Sequence, residues 1–251
     1  MSATINPRPL PAPADSGDGS ETRFCSTCAF AGACAQSGVD KSDLHDLHCL
    51  VQHIGPYHQS QHVFRVNDPF TAIYAVRAGM IKTSITDEHG REQVLGFHLP
   101  GELIGLNAIY RDRYPCDAIA LDTATLCRFS FGAMASLATR LPGLQERLFR
   151  LMSKDIGTSS LLSGDFTADE RLAAFICDMS RRYADRGYSP RRLHLAMPRS
   201  DIANYLRLAA ETVSRVLRRF QDEDLIHVDR RELEIRDRER IEALARPLLR
   251  L

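Results

Sequence analysis

Two groups of residues in this 251-residue chain have types and spacings that can do chemistry. The first is Cys25-x2-Cys28-x5-Cys34, three thiols within ten residues, enough to hold a soft metal centre or to work as a thiol redox switch. The second is the run from Arg199 to Leu217, which reads as two short helices around a tight turn. The first helix spans about Arg199 to Leu206 and buries Ile202, Ala203 and Leu206. The second spans about Ala210 to Gln221 and buries Val213, Val216 and Leu217, which leaves Glu211, Ser214 and Arg215 together on the other face. Arg pairs bidentately with guanine, Glu accepts from cytosine, and Ser reaches a base edge or a phosphate. Arg207, Arg218 and Arg219 flank this trio at positions suited to phosphates. A metal site coupled to a reader of double-stranded DNA makes a sensor.

The elements that position these groups can be read in outline. Residues 1–22 hold Pro7, Pro9, Pro11 and Pro13 and then a Gly/Ser/Asp stretch, which predicts a disordered lead-in and lacks the apolar segment of a secretory signal. With no apolar run of membrane-spanning length, the expectation is a cytoplasmic protein in a reducing compartment, where clustered thiols favour metal or redox chemistry. Residues 23–133 combine the cysteine-bearing arm with short β-like runs at His62–Val66, Ala72–Arg77, Met80–Ile85, Gln93–Phe97 and Ala124–Phe129, separated by Pro, Gly, Asn and Asp. That pattern predicts a small antiparallel barrel or jelly roll.

Residues 134–165 switch to a heptad. Leu137, Leu141, Leu144, Leu148 and Leu151 are spaced 4, 3, 4, 3, and the next position is Asp155. This is a candidate dimer seam, weakened where two Asp155 charges would meet; a helix lying on the barrel has the same pattern. Residues 166–251 return to helices and end in two short alternating runs, Leu225–Val228 and Glu232–Ile235, around a charged turn, which completes a winged helix-turn-helix. The fold class is therefore α+β. Net charge is zero, but its distribution is not even: 14 Lys and Arg face 17 Asp and Glu before residue 167, and 18 face 15 from there on.

The Glu211-x2-Ser214-Arg215 array, the Glu170–Ile176 run and the Ser180–Pro190 run resemble the CRP/FNR family of bacterial transcription regulators, and within it the FNR branch. The resemblance covers roughly residues 22–240. It implies a cyclic-nucleotide-binding-like jelly roll in front and a homodimer, formed when the metal centre is loaded, that reads a TTGAT inverted repeat. It also implies an oxygen-labile [4Fe–4S] cluster on Cys25, Cys28, Cys34 and Cys127, with Cys116 the rival fourth ligand, and no enzyme activity. The Arg-Ser pair that clamps a cyclic phosphate is replaced by Tyr114–Asp117, so no cyclic nucleotide is expected. The exposed turn Asp87–Gly90 corresponds to a surface that touches RNA polymerase, or is a plain solvated turn. Zinc held with Cys49 or a His, and an iron–sulfur electron carrier, are the competing readings of the thiols. Cys49 and Cys177 read as buried fillers, and His45, His48, His53, His58 and His62 as solvated or hinge residues. Two positions depart from the family pattern: Arg207 stands where Gly is usual, and Ala209 where a Ser or Thr cap is usual.

Overall fold

The computed structural model describes residues 51–140, 142–160 and 165–249. Cys25, Cys28, Cys34, Cys49 and Leu141 therefore lie outside the described residues, as do the side chains of Leu137 and Asp155.

Among the described residues eight strands build the front domain: β1 (Val51–Tyr57), β2 (His62–Phe64), β3 (Ala72–Ala78), β4 (Ile81–Thr86), β5 (Glu92–His98), β6 (Leu103–Ile104), β7 (Asp117–Ala120) and β8 (Ala124–Ser130). They pair into two four-stranded sheets, ordered β1-β8-β3-β6 and β2-β7-β4-β5, as a jelly roll does. The β3–β4 turn closes on Gly79, whose φ of +77° and close approach to the Thr123 carbonyl exclude a side chain. Two helices follow, α1 (Phe131–Arg140) and α2 (Pro142–Ser160), where the leucine spacing predicts one. Pro142 has no N–H to donate and opens α2 at the position helices tolerate best.

The rear domain holds α3 (Ala168–Ala184), β9 (Arg192–His194), α4 (Arg199–Leu206), α5 (Ala210–Asp222), β10 (Ile226–Asp229), β11 (Glu232–Ile235) and α6 (Arg238–Leu249). A capping box starts α3: Thr167 accepts from the Glu170 N–H, and the Glu170 carboxylate accepts from the Thr167 N–H. The wing has three strands, β10-β11-β9. No helix among the described residues is long and apolar enough to cross a membrane.

The two domains share one apolar core. Met80, Val94, Phe97, Leu99 and Leu121 of the barrel pack with Leu172, Phe175, Ile176 and Met179 of α3. A buried ion group reinforces this junction. Glu102 receives Arg182 at 2.5 Å and Arg186 at 2.7 Å, all three with side chains at most 16% exposed, and Arg182 also donates to the Phe97 carbonyl.

Burial alone would raise the Glu102 pKa, but the Arg182 and Arg186 charges outweigh it and hold it at about 2. His98 beside this group is pushed down to about 4, chiefly by burial, with the Glu102 charge opposing and the Arg182 charge adding. Both folded values lie below the unfolded ones, so both groups withdraw stability as pH falls. His98 acts first, from about pH 6.5 to about 4, because the unfolded chain takes up its proton more readily; Glu102 follows from about 4.5 to about 2. Acidifying from pH 7 to 5 is expected to lower unfolding free energy by about 2 kcal/mol through His98. Urea denaturation across that range checks this, and His98→Gln should flatten the slope.

Candidate nucleic-acid interface and metal centre

Recognition-helix geometry follows from which residues are buried. Val213, Val216, Leu217 and Phe220 are at most 5% exposed and seat α5 on the rear core. That orientation leaves Glu211, Ser214, Arg215 and Arg218 exposed on the opposite side. Ser214 Oγ donates back to the Ala210 carbonyl at 2.9 Å, and Arg215 reaches Thr212 Oγ1 at 3.3 Å, both local bonds that a base edge can replace. Arg219 is different: it is paired with Asp169 of α3.

The turn before α5 is made by the two departures from the family pattern. Arg207 ends α4 in the left-handed region, at φ 56° and ψ 45°, and stays exposed. A non-glycine residue there costs about 1–2 kcal/mol. Ala209 caps α5 without a side-chain hydrogen bond, which leaves the first N–H groups of the helix open. At the start of α4, Arg199 Nη2 lies 3.5 Å from the carbonyl of Arg230 in the wing turn.

Cysteine placement separates the two candidates for a fourth thiolate. On β8, Cys127 pairs in register with His53 of β1 and Ala75 of β3. It is 2% exposed, on the sheet face covered by helices, in a cluster with Ile73, Phe129, Met134 and Leu144. Val51, the first described residue and the one nearest the cysteine arm in sequence, packs against the same cluster. Cys116 belongs instead to the barrel interior, 1% exposed, where Asn107 Nδ2 lies 3.7 Å from its sulfur and burial raises its pKa. Cys177, half-buried on α3, has its thiol pushed up to about 11 by burial and by the Glu242 charge. Among the described residues no group of three or more His, Cys, Asp and Glu could hold a metal ion.

Leu144 is 2% exposed, and Leu148 and Leu151 pack against the Cys127 cluster, so the leucine row of α2 meets its own barrel. Leu144 is covered within the protomer, while Leu148 and Leu151, only partly buried, keep surface beside it. What α2 leaves open is Phe149, 59% exposed, and Met152, 36% exposed, an i, i+3 pair on another face. In the sequence this pair lies beneath the longer leucine repeat, and its own i, i+3 spacing is the signal that marks it.

The barrel interior is filled. Phe64 stacks on Tyr114 with ring centroids 3.9 Å apart, and Tyr74 lies 5.7 Å from Phe64. Tyr114 is 2% exposed and donates to the Ala72 carbonyl at 2.7 Å. A Cβ at Gly105 would meet the Tyr114 ring at 3.2 Å.

Comparison with known proteins matches both halves of this architecture. The family model described as a cyclic nucleotide-binding domain matches residues 55–140, and the one described as a Crp-like helix-turn-helix domain matches residues 170–244. The "Transcriptional activator protein anr" of Pseudomonas aeruginosa is 40% identical over 249 residues, 98% of each chain. The "Fumarate and nitrate reduction regulatory protein" of Salmonella typhi is 38% identical over 224 residues, 88% of this chain and 90% of that protein. Among solved structures, FixK2 from Bradyrhizobium japonicum superposes with a TM-score of 0.70 at 25% identity, covering 77% of this chain and 96% of that one. A jelly roll joined through a common core to a Crp-like helix-turn-helix, in a chain this similar to those regulators, places the protein in the CRP/FNR family of DNA-binding transcription regulators, in its FNR branch.

Proposed function

We propose that this regulator is an anaerobic switch. It senses oxygen through a [4Fe–4S] cluster on Cys25, Cys28, Cys34 and Cys127, and as a cluster-loaded homodimer it binds a TTGAT inverted repeat. The observation that carries this reading is the position of Cys127: it lies in one packed layer with Leu144, Leu148 and Leu151 of α2 and with Val51 at the entry of the arm. Four thiolates suit the donor preference of such a cluster, which when bound supplies an oxygen-reactive redox centre. The chain's own residues do the rest. Thiolates of the arm, held together with Cys127, would tie the arm to the sheet face on which α2 rests. Because interiors are close-packed, a change at Cys127 is felt by Leu144. The open Phe149 and Met152 face of α2 is then the surface offered to a second copy, next to the like-charge pair expected at Asp155.

On DNA, Arg215 pairs with guanine, Glu211 with cytosine and Ser214 with a base edge or phosphate, while Arg207 and Arg218 contact phosphates. The strained Arg207 puts a positive charge in the turn beside the uncapped α5 N-terminus, where phosphate binding is favoured. The exposed Asp87–Gly90 turn, closed by Asp87 accepting from the His89 and Arg91 N–H groups, is the surface assigned to RNA polymerase. Packing of Phe64, Tyr74 and Tyr114 supports the absence of a cyclic nucleotide ligand.

Arg215→Ala is the direct test. On a TTGAT-N4-ATCAA duplex, anaerobic binding should weaken by about 1–3 kcal/mol, roughly 5- to 150-fold, and discrimination at the guanine should relax. Equal binding by this variant and the wild type would show that another face of the domain reads DNA.

A further inference from the structure

The helix that precedes the reading helix is fastened to the sensor barrel at two points one turn apart. β5 is the edge strand of its sheet, so some of its backbone groups have no strand beside them. Asn204 of α4 meets them: its Oδ1 accepts from the Val94 N–H at 2.7 Å, and its Nδ2 donates to the Glu92 carbonyl at 2.6 Å. One amide side chain thus makes the paired bonds a neighbouring strand would make. Three residues earlier, on the same face of α4, Asp201 takes Lys82 Nζ at 2.9 Å, and Lys82 also holds Glu92 at 2.8 Å. Lys82 is 8% and Asp201 9% exposed, so solvent screens this link little. Tyr205, next along α4, completes the contact against Phe97 with ring centroids 5.4 Å apart.

These bonds are directional, and nothing between α4 and α5 can absorb a rotation. Leu208 donates back to the Ala203 carbonyl, and Arg207 is locked in its left-handed turn. Within the shared core that Glu102, Arg182 and Arg186 reinforce, Asn204 and Asp201 tie the direction of α5 to the β4–β5 hairpin, and the barrel is set against α2 through the Leu144 layer. In a dimer built on α2, both reading helices would point along fixed lines.

We propose that Asn204 and Asp201 are positioning residues: by docking α4 on the edge of β5 they determine which spacing between half-sites the dimer accepts. This inference rests on the DNA-reading dimer proposed above. Each added base pair rotates one half-site by about 34° and moves it by about 3.4 Å relative to the other, more than a docked helix can follow and within reach of a loosened one.

The test uses full-length, anaerobically purified protein and duplexes carrying TTGAT repeats with 4, 5 or 6 central base pairs, together with a single half-site. Wild type should prefer the four-base-pair spacer by about tenfold or more, since misplaced half-sites lose one set of contacts. Asn204→Ala, which suits a helix, should cut that preference to about threefold or less while single half-site affinity stays within about twofold. Asp201→Asn, which keeps the Lys82–Glu92 pair, should move the ratio in the same direction. An unchanged ratio in both variants, or a parallel loss on every duplex including the half-site, would overturn the proposal. A wild type that binds none of the duplexes would overturn the DNA reading itself, a separate and recognisable failure.

Discussion

Cys127→Ala is expected to give a colourless, folded protein that no longer binds its palindrome. Removing one thiolate of four would leave the proposed iron–sulfur centre a ligand short, so iron and acid-labile sulfide should fall from four per chain to near zero. Specific DNA binding should drop toward the non-specific level, a loss of about 10³-fold or more for a typical site. Folding itself should suffer little. Cys127 is a small side chain in an apolar layer, and its truncation is a small change beside the 2–5 kcal/mol typical of losing a buried leucine. The measurement is the visible absorption of anaerobically purified protein, followed as air is admitted, with circular dichroism as the fold control. Cys116→Ala serves as the contrast: its sulfur faces the barrel interior, so the band and its bleaching in air should be those of wild type. A coloured Cys127→Ala and a colourless Cys116→Ala would exchange the two assignments. Colour lost in neither, with zinc found bound to the wild type, would replace the cluster by zinc.

The second large effect is expected at the domain junction. Glu102→Gln keeps the shape of the side chain and removes its charge, leaving Arg182 and Arg186 buried without their shared counter-charge. Asp178 still meets Arg182 at 3.2 Å, which softens the loss but does not cancel it. Breaking a buried pair from one side typically costs about 3–5 kcal/mol. For a chain of this size that is a fall of roughly 6–20 °C in melting temperature. Because Glu102 lies on the barrel and both arginines in the rear domain, calorimetry should also show one transition becoming two. The same substitution removes the part of acid unfolding that begins near pH 4.5, the titration range of Glu102. A single transition at the wild-type temperature would mean that the apolar contacts of Phe97, Leu99 and Phe175 alone hold the domains together.

How far these features could be read in advance depended on whether their cause is local. The alternating runs of β3, β4, β5 and β8 and the helix pair at 199–222 announce themselves through period and punctuation, and the structure places elements at each. β1 was hidden by Gly55-Pro56 within it, and β7 by its composition, Asp-Ala-Ile-Ala, which has one β-branched residue. β9 is three residues long and exists because β11 pairs with it. The leucine heptad showed which residues of α2 share a face but not what covers that face; the cover is the Cys127 layer of the barrel. At the candidate site, Glu211, Ser214 and Arg215 were legible because the buried positions of α5 leave only one face for them. Asn204 and Val94, 110 residues apart, were not, because no local periodicity encodes a side chain that stands in for a strand.

Three packed rings also bear on how signals are kept apart in a cell. The barrel is of the kind that in other proteins admits a diffusible nucleotide, and here Phe64, Tyr74 and Tyr114 occupy its interior. Returning three such side chains to water would cost roughly 5–9 kcal/mol at about 1.5–3 kcal/mol each. A ligand of micromolar strength brings only about 8 kcal/mol. If, as proposed, no cyclic nucleotide binds here, swings in a nucleotide pool would go unheard by this barrel. On that reading, two circuits built on one scaffold could work side by side, kept apart by the packing of Phe64, Tyr74 and Tyr114.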